Sequence, residues 1–192
     1  MTEPKTRSKG RRTLLWLALV AASPIVASYM TYYWFVPDKR VNYGELLTPA
    51  PAPPVTGARL DEKPFALADL HGQWVMLIVT GADCTDTCRH ALYATRQART
   101  MQGREQDRVA RAWLRPTGAA APSAELRASQ PGLVIGSAAQ AELSRLPLDP
   151  TGAPTILLLD PRGYLVLRYR AESDIKRLAA DLDRLLRASQ IG

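Results

Sequence analysis

The sequence predicts an α/β domain with a central mixed sheet flanked by helices, preceded by one N-terminal transmembrane helix. An uncharged stretch, Thr13–Val36, lies close to the start of the chain. Trp74–Gly81 is a continuous apolar run, which is typical of a strand buried on both faces of a sheet. Beyond it the pattern runs strand, helix, strand, helix, hairpin, helix, an order typical of an α/β fold with a mixed sheet.

The segment 13–36 is predicted to be a membrane anchor. It is longer than the roughly 20 apolar residues that a helix needs to cross a bilayer. Tyrosine and tryptophan side chains crowd its far end, and such side chains favour the membrane–water boundary. A cleaved signal peptide is the alternative, but its apolar core is usually about 7–15 residues long. We therefore expect an uncleaved anchor.

The charge distribution predicts the orientation of that anchor. Residues 1–12 form a basic tail with five basic side chains and one acidic side chain. Such a flank stays on the cytoplasmic side, which sends the rest of the chain across the membrane. The remaining residues carry 20 basic and 17 acidic side chains, so the net charge of +7 lies mostly in the tail. The pattern indicates a mildly basic surface and no nucleic-acid partner.

Residues 37–59 are predicted to be a proline-rich linker, and residues 60–192 the α/β domain. Proline fixes its own backbone angle and favours extended geometry before it, which makes such a segment stiff. The sequence leaves open whether the linker lies against the domain. Within the domain, Arg108–Leu114 and Thr155–Asp160 are predicted strands, and the second continues through a turn into a hairpin. Apolar residues at helical spacing predict a closing helix, which Ser173 or Asp174 caps.

Both cysteines of the chain, Cys84 and Cys88, lie in the segment GADCTDTC that follows the buried strand. A helix is predicted to begin at Asp86 or Thr87, which places Cys84 just outside it and Cys88 in its first turn. The ends of strands in open α/β sheets are where binding sites lie. The free N–H groups of a helix N-terminus favour a thiolate, which both metal binding and disulfide exchange require. A structural disulfide and two merely buried side chains are the alternatives.

The chain resembles the Sco family of cytochrome c oxidase assembly proteins. The resemblance rests on the anchor, the linker, the strand, the CxxxC motif before a helix, and the later TILLLDPRG hairpin, and it covers roughly 60–189. It implies a thioredoxin-like fold for residues 60–192 and a dithiol that handles copper or partner thiols for the oxidase copper site. Cys84 and Cys88 are the implied Cu(I) ligands and the implied catalytic residues.

The chain also departs from the Sco pattern. Sco proteins carry a histidine shortly before the hairpin as a third copper ligand, whereas this segment reads LDPTGAPTILLLDPRG. His71 precedes the buried strand and is expected at the opposite end of the sheet. His90 is the remaining candidate ligand or base. Ala153-Pro154-Thr155 resembles the cis-proline loop that faces the cysteines in thioredoxin-like reductases, so Pro154 is an expected site residue.

Three hypotheses follow for the function. The chain is a copper-handling assembly factor, a thiol–disulfide oxidoreductase, or a non-catalytic scaffold of the respiratory complex. In an oxidoreductase, Cys84 is the expected nucleophile and Cys88 the resolving cysteine. The expected location is the bacterial inner membrane, with a single span, a cytoplasmic N-terminus and a periplasmic domain. The expected partner is a cytochrome c oxidase subunit or another cysteine-bearing protein of a membrane complex.

Overall fold

The structure is a computed structural model that describes residues 7–34 and 42–189. The first unit contains the helix α1 (Arg7–Trp34), and Pro24 lies inside it. Its segment Gly10–Thr31 is long and apolar enough to cross a membrane. Residues 13–34 of the predicted anchor therefore lie in one helix. The predictions for residues 1–6, 35–41 and 190–192, which belong to the tail, anchor, linker and domain end, lie outside the described residues.

The second unit is built around one eight-stranded mixed sheet. Its strands are β1 (Glu45–Pro51), β2 (Thr56–Arg59), β3 (Pro64–Ala66), β4 (Trp74–Val79), β5 (Val109–Pro116), β6 (Leu133–Ala138), β7 (Thr155–Leu159) and β8 (Tyr164–Arg170). Its α-helices are α2 (Asp86–Thr100), α3 (Ala124–Ala128), α4 (Gln140–Leu143) and α5 (Ile175–Ala188), and two short 3-10 helices cover Leu67–Leu70 and Gly103–Arg108. The strand order across the sheet is β1-β8-β7-β4-β5-β6-β2-β3. This architecture confirms the predicted fold class.

Strand β4 determines which loops meet at one end of the strands. It runs parallel to β5 and antiparallel to β7. Its last residue, Val79, pairs with Leu114 near the end of β5 and with Thr155 at the start of β7. The loop that carries the cysteines leaves from this end of the strands, which we call the cysteine edge. The loop before β7 therefore arrives at the cysteine edge.

The two faces of the sheet bury separate apolar clusters. Helices α2 and α5 cover one face, and the side chains of Ile78 and Leu158 point into it. Leu77 and Leu157, their neighbours along the chain, belong to the cluster on the opposite face. This alternation is the two-residue period of a strand buried on both faces. Asp174 caps α5 by accepting a hydrogen bond from the Arg177 N–H group, as its sequence predicts.

The segment 37–59 differs from its prediction as a linker, because most of its described part lies in the sheet. Strand β1 pairs with β8 at one edge of the sheet, and β2 pairs with both β3 and β6. Proline is tolerated on edge strands, where the missing N–H group costs no ladder hydrogen bond. Pro49 and Pro51 therefore do not prevent β1 from joining the sheet.

A buried carboxylate fixes the start of this segment on the domain. Oδ2 of Asp181 accepts hydrogen bonds from the backbone N–H groups of Tyr43 (2.8 Å) and Gly44 (2.9 Å). The Tyr169 hydroxyl donates to the same oxygen over 3.2 Å. Because Asp181 lies on α5, the chain from Tyr43 onward is an integral part of the α/β unit.

Candidate dithiol site

Cys84 and Cys88 lie where the sequence predicts, at the junction between a loop and a helix. Helix α2 begins at Asp86 with Thr85 as its N-cap, so Cys84 precedes the helix and Cys88 is its third residue. The two cysteines form a disulfide, with their Cα atoms 5.1 Å apart. The structure therefore presents the oxidised form of the pair.

The two sulfur-bearing residues differ in exposure. Cys84 is partly buried, whereas Cys88 is completely buried in the cluster on the helix face. Leu92, Trp113 and Ile156 belong to the same cluster. An incoming thiolate has to approach a sulfur along the disulfide axis, which requires access. Cys84 is therefore the sulfur that a partner can reach.

Two hydrogen bonds fix Thr80, the residue that follows β4 and leads into the cysteine loop. The indole N–H of Trp113 donates to Oγ1 of Thr80 over 2.9 Å, and the backbone N–H of Thr80 donates to the Leu114 carbonyl over 3.1 Å. Both partners lie on β5, so this strand determines where the cysteine loop begins. This role of Trp113 was not predicted from the sequence. The available signal was its two-residue spacing from Val109 and Arg111 in RVARAWL, which places the three side chains on one face of a strand.

A buried guanidinium lies beside Trp113 on the same strand. The Arg115 side chain is 4% exposed, and its Cζ atom lies 5.1 Å from the centroid of the Trp113 ring. It donates a hydrogen bond to the Ala120 carbonyl, and its Nε has no partner among the described residues. Desolvation by burial lowers the pKa of Arg115. The helix face therefore buries a positive charge near the cysteine edge, which the sequence analysis did not anticipate.

Pro154 reaches the cysteine edge, but its backbone differs from the expectation. It is partly buried and directly precedes β7, whose first residue pairs with Val79. The described residues contain no cis peptide bond, so the Ala153–Pro154 bond is trans and the predicted cis-proline geometry is wrong. The loop is organised by polar contacts. Thr155 Oγ1 accepts a hydrogen bond from the Asp149 N–H group over 2.9 Å, and Asp149 accepts two from Thr151.

The structure separates the histidines from one another. His90 lies on α2 with an exposed side chain, and its Nε2 is 3.5 Å from the carbonyl oxygen of Ser173. His71 precedes β4 and lies against Gly163 in the β7–β8 turn, which is at the opposite end of the sheet from the cysteines. No described contact joins either ring to a cysteine.

The donor set at the site consists of two sulfurs. Residues 7–34 and 42–189 contain no group of three or more His, Cys, Asp or Glu side chains placed to hold a metal ion. Two thiolates are soft ligands, which suit Cu(I) better than Cu(II). The reduced pair fits a Cu(I) ion with two sulfur ligands, and it also fits dithiol exchange.

Comparisons with known proteins place this site in a family. Residues 74–189, more than half of the chain, match the family described as transmembrane-like, thioredoxin-like, C-terminal domain. The chain belongs to this family. The matched residues of this family member include β4, both cysteines and Pro154. No curated protein sequence matches the chain.

Solved structures with the same fold include Sco proteins and a DsbF homologue. Yeast Sco1 with copper bound has a TM-score of 0.62 at 14% identity, over 74% of this chain and 96% of that chain. Apo Sco1 from Thermus thermophilus has a TM-score of 0.60 at 21% identity, over 77% and 99%. The DsbF homologue from Corynebacterium diphtheriae has a TM-score of 0.60 at 15% identity, over 77% and 95%. These similarities confirm the thioredoxin-like fold and the expected likeness to Sco proteins at the level of the fold.

Proposed function

We propose that the chain is a membrane-anchored thiol–disulfide exchange protein that reduces a disulfide of a partner during assembly of cytochrome c oxidase. The observation that carries the proposal is the asymmetry of the pair. A partly buried Cys84 is bonded to a completely buried Cys88 at the start of α2. One accessible sulfur and one sequestered sulfur suit a nucleophile and a resolving cysteine.

The exchange proceeds in two balanced steps. In the reduced chain, the Cys84 thiolate attacks one sulfur of the partner disulfide, and the partner's other sulfur leaves as a thiolate that takes up a proton. Cys88 then loses its proton and attacks Sγ of Cys84, which releases the first partner sulfur as a thiol. The partner gains two electrons, and this chain is left with the Cys84–Cys88 disulfide that the structure presents. A dithiol donor outside the cytoplasm has to reduce that disulfide before the next turnover.

Copper handling is the second candidate function. It is supported by the likeness to Sco proteins whose structures contain copper. In this function, Cu(I) is the cargo that the chain carries. Cys84 and Cys88 in the reduced state supply the two sulfur ligands, and His90 is disfavoured as a third because its ring nitrogen faces the Ser173 carbonyl. Two soft ligands hold Cu(I) more weakly than a complete three-ligand set does.

The proposed location is the bacterial inner membrane, with the N-terminus in the cytoplasm and the α/β unit in the periplasm. The basic tail and the apolar helix α1 support this orientation. Disulfides form and persist in compartments outside the cytoplasm, which agrees with the Cys84–Cys88 disulfide. The proposed partner is a cysteine-bearing oxidase subunit in the same membrane.

Trapping variants of the full chain test the proposal. We expect Cys88→Ser to form a stable mixed disulfide with the oxidised copper-binding subunit of the oxidase, since the resolving sulfur is missing. The matched variant Cys84→Ser should form none, because its remaining sulfur is buried. Mass spectrometry of non-reduced complexes identifies the adducts. A stable adduct formed only by Cys84→Ser would reverse the assignment of the two roles.

An anaerobic Cu(I) titration of the reduced chain separates the two candidates. Weak binding, together with a disulfide potential suited to exchange, supports the reductase. Tight one-to-one binding that Cys84→Ser and Cys88→Ser both abolish, without any trapped adduct, supports the copper carrier instead. The absence of both activities would remove both candidates and leave the scaffold hypothesis.

A further inference from the structure

Strand β6 has a short edge that no other described strand covers. On one side it pairs with β5 from Leu133 to Ala138. On the other side it pairs with β2 only from Gly136 onward, because β2 ends at Arg59. A strand edge exposes N–H and C=O groups that can pair with another chain. The stretch Leu133–Ile135 therefore offers an open edge.

A cavity of about 360 Å³ lies along this open edge. Leu133, Val134 and Ile135 line it, and each of them is partly exposed. Arg59 at the end of β2 and the β2–β3 turn form one side of the cavity, and α3 with the segment after it forms the other side. The site thus combines an unpaired strand edge, partly exposed apolar side chains and charged walls.

The walls of this cavity contain donors that the described residues do not satisfy. Nε of Arg59 is buried and has no hydrogen-bond partner among the described residues, while Nη2 of the same guanidinium forms a long ion pair of 3.9 Å with Asp69. Arg127 lies in the wall with an exposed side chain for which no partner exists among residues 42–189. The acidic wall residue, Asp61, is already paired with Lys63 at 2.9 Å. The walls therefore carry an excess of positive charge.

A buried arginine behind the wall adds to this excess. Gln130 is 7% exposed, and its Oε1 accepts a hydrogen bond of 2.7 Å from Arg111. Arg111 is 2% exposed, and no carboxylate lies within 4 Å of it among the described residues. Its other acceptors, the Leu92 carbonyl and the Thr95 hydroxyl, are neutral. Burial and the positive charges of Arg99 and Arg96 lower the pKa of Arg111 to about 10.

We propose that the open edge of β6 is a docking site for an extended acidic segment of a partner protein. The segment adds a short strand beside Leu133–Ile135 and places its carboxylates against Arg59 and Arg127. Strand addition supplies the missing main-chain hydrogen bonds, and alternate side chains reach the apolar wall. Charge complementarity selects an acidic segment over a neutral or basic one.

Binding of synthetic peptides to the full chain in phosphatidylcholine nanodiscs tests this site. The probe is a dye-labelled pentapeptide, Glu-Val-Glu-Val-Glu, and its affinity is measured by fluorescence anisotropy. The matched peptides are Gln-Val-Gln-Val-Gln and a Glu-Val-Glu-Val-Glu peptide with methylated backbone nitrogens. We expect the neutral peptide and the methylated peptide each to bind about tenfold more weakly, because one lacks the carboxylates and the other lacks the strand donors.

Single arginine substitutions locate the peptide. We expect Arg59→Gln and Arg127→Gln each to weaken binding about twofold to fivefold, which is the usual range for an exposed ion pair. Arg145→Gln removes the same charge from an exposed position outside the cavity and should leave affinity unchanged. Hydrogen exchange of residues 133–138 should also slow when the acidic peptide is added, which is a readout independent of the variants.

Other outcomes would overturn the proposal. Equal affinity for the acidic and neutral peptides would remove the charge argument. Full affinity of the methylated peptide, together with displacement by inorganic phosphate, would indicate a small-anion pocket without strand addition. Unchanged hydrogen exchange across 133–138 in the presence of bound peptide would place the peptide elsewhere.

Discussion

The two faces of the central sheet bury different kinds of side chain. The face under α2 and α5 contains the disulfide and all three charged residues that are buried within the described chain, Arg111, Arg115 and Asp181. The opposite face buries an apolar cluster that includes Phe65, Leu77 and Leu157. Burying a charge costs free energy unless partners compensate it. The apolar face therefore contributes mainly to the stability of the fold, while the helix face also holds the disulfide and the buried charges.

Adjacent leucines on β7 provide the strongest test of this division. Leu157 and Leu158 are both almost completely buried, but only Leu158 shares a cluster with Cys88. We expect Leu157→Ala and Leu158→Ala each to cost about 2–5 kcal/mol of unfolding free energy. Only Leu158→Ala should change the rate at which dithiothreitol reduces the disulfide. Equal changes of rate in both variants would show that the faces are not independent.

The carboxylate of Asp181 should give the next largest effect. Its Oδ2 accepts three hydrogen bonds, including those from the Tyr43 and Gly44 N–H groups. We expect Asp181→Asn to cost about 1–3 kcal/mol, because a charged acceptor is replaced by a neutral amide. Asp183→Asn on the same helix, where the side chain is 48% exposed and paired with Arg187, is the control. Urea unfolding gives both values, and similar losses would contradict the role of Asp181.

Tyr169 should make part of the stability depend on alkaline pH. Burial and the charge of Asp181 raise the pKa of Tyr169 above its ordinary value of 10. The contribution of Tyr169 to the unfolding free energy is complete below pH 10. It is lost as pH rises above 10, because there the phenol ionises in the unfolded chain and not in the folded one. Tyr169→Phe should remove up to about 1.4 kcal/mol per pH unit of this dependence above pH 10. Tyr164→Phe, at a 39% exposed position on the same strand, is the matched control for the loss of a tyrosine hydroxyl.

Two tryptophans give the smallest expected difference. Trp113 donates a hydrogen bond to Thr80, whereas Nε1 of the buried Trp74 has no partner among the described residues. Trp113→Phe should therefore cost about 1 kcal/mol more unfolding free energy than Trp74→Phe. The two substitutions change the side-chain volume equally, and only Trp113→Phe removes a hydrogen bond. Chemical denaturation measures both. A larger loss for Trp74→Phe would contradict the assignment.

Much of the fold could be predicted because its signals are local. Strand β4, the start of α2 at Asp86 and the β7–β8 hairpin follow from apolar runs, capping and turn residues. Strands β1 and β2 could not be predicted from the proline-rich segment 37–59, because their pairing depends on distant partners on β8 and β6.

The candidate site was predictable to a similar extent. The position of the cysteines at a loop–helix junction follows from the order of strand and helix. The trans bond before Pro154 was not predictable, because either isomer of an X-Pro bond is accessible and the surrounding structure selects one. The roles of Arg111 and Arg115 were also hidden, since an arginine within a strand pattern gives no indication of which face buries it or whether an acid lies nearby.

The burial of one sulfur also limits how many molecules the chain can capture. Because Cys88 lies on the buried side of α2, a second protein can be linked only through Cys84. Two partners cannot be held at once, and oxidation cannot join copies of this chain into polymers, because each copy offers one point of attachment. We therefore expect every mixed disulfide at this site to join one copy of the chain to one partner.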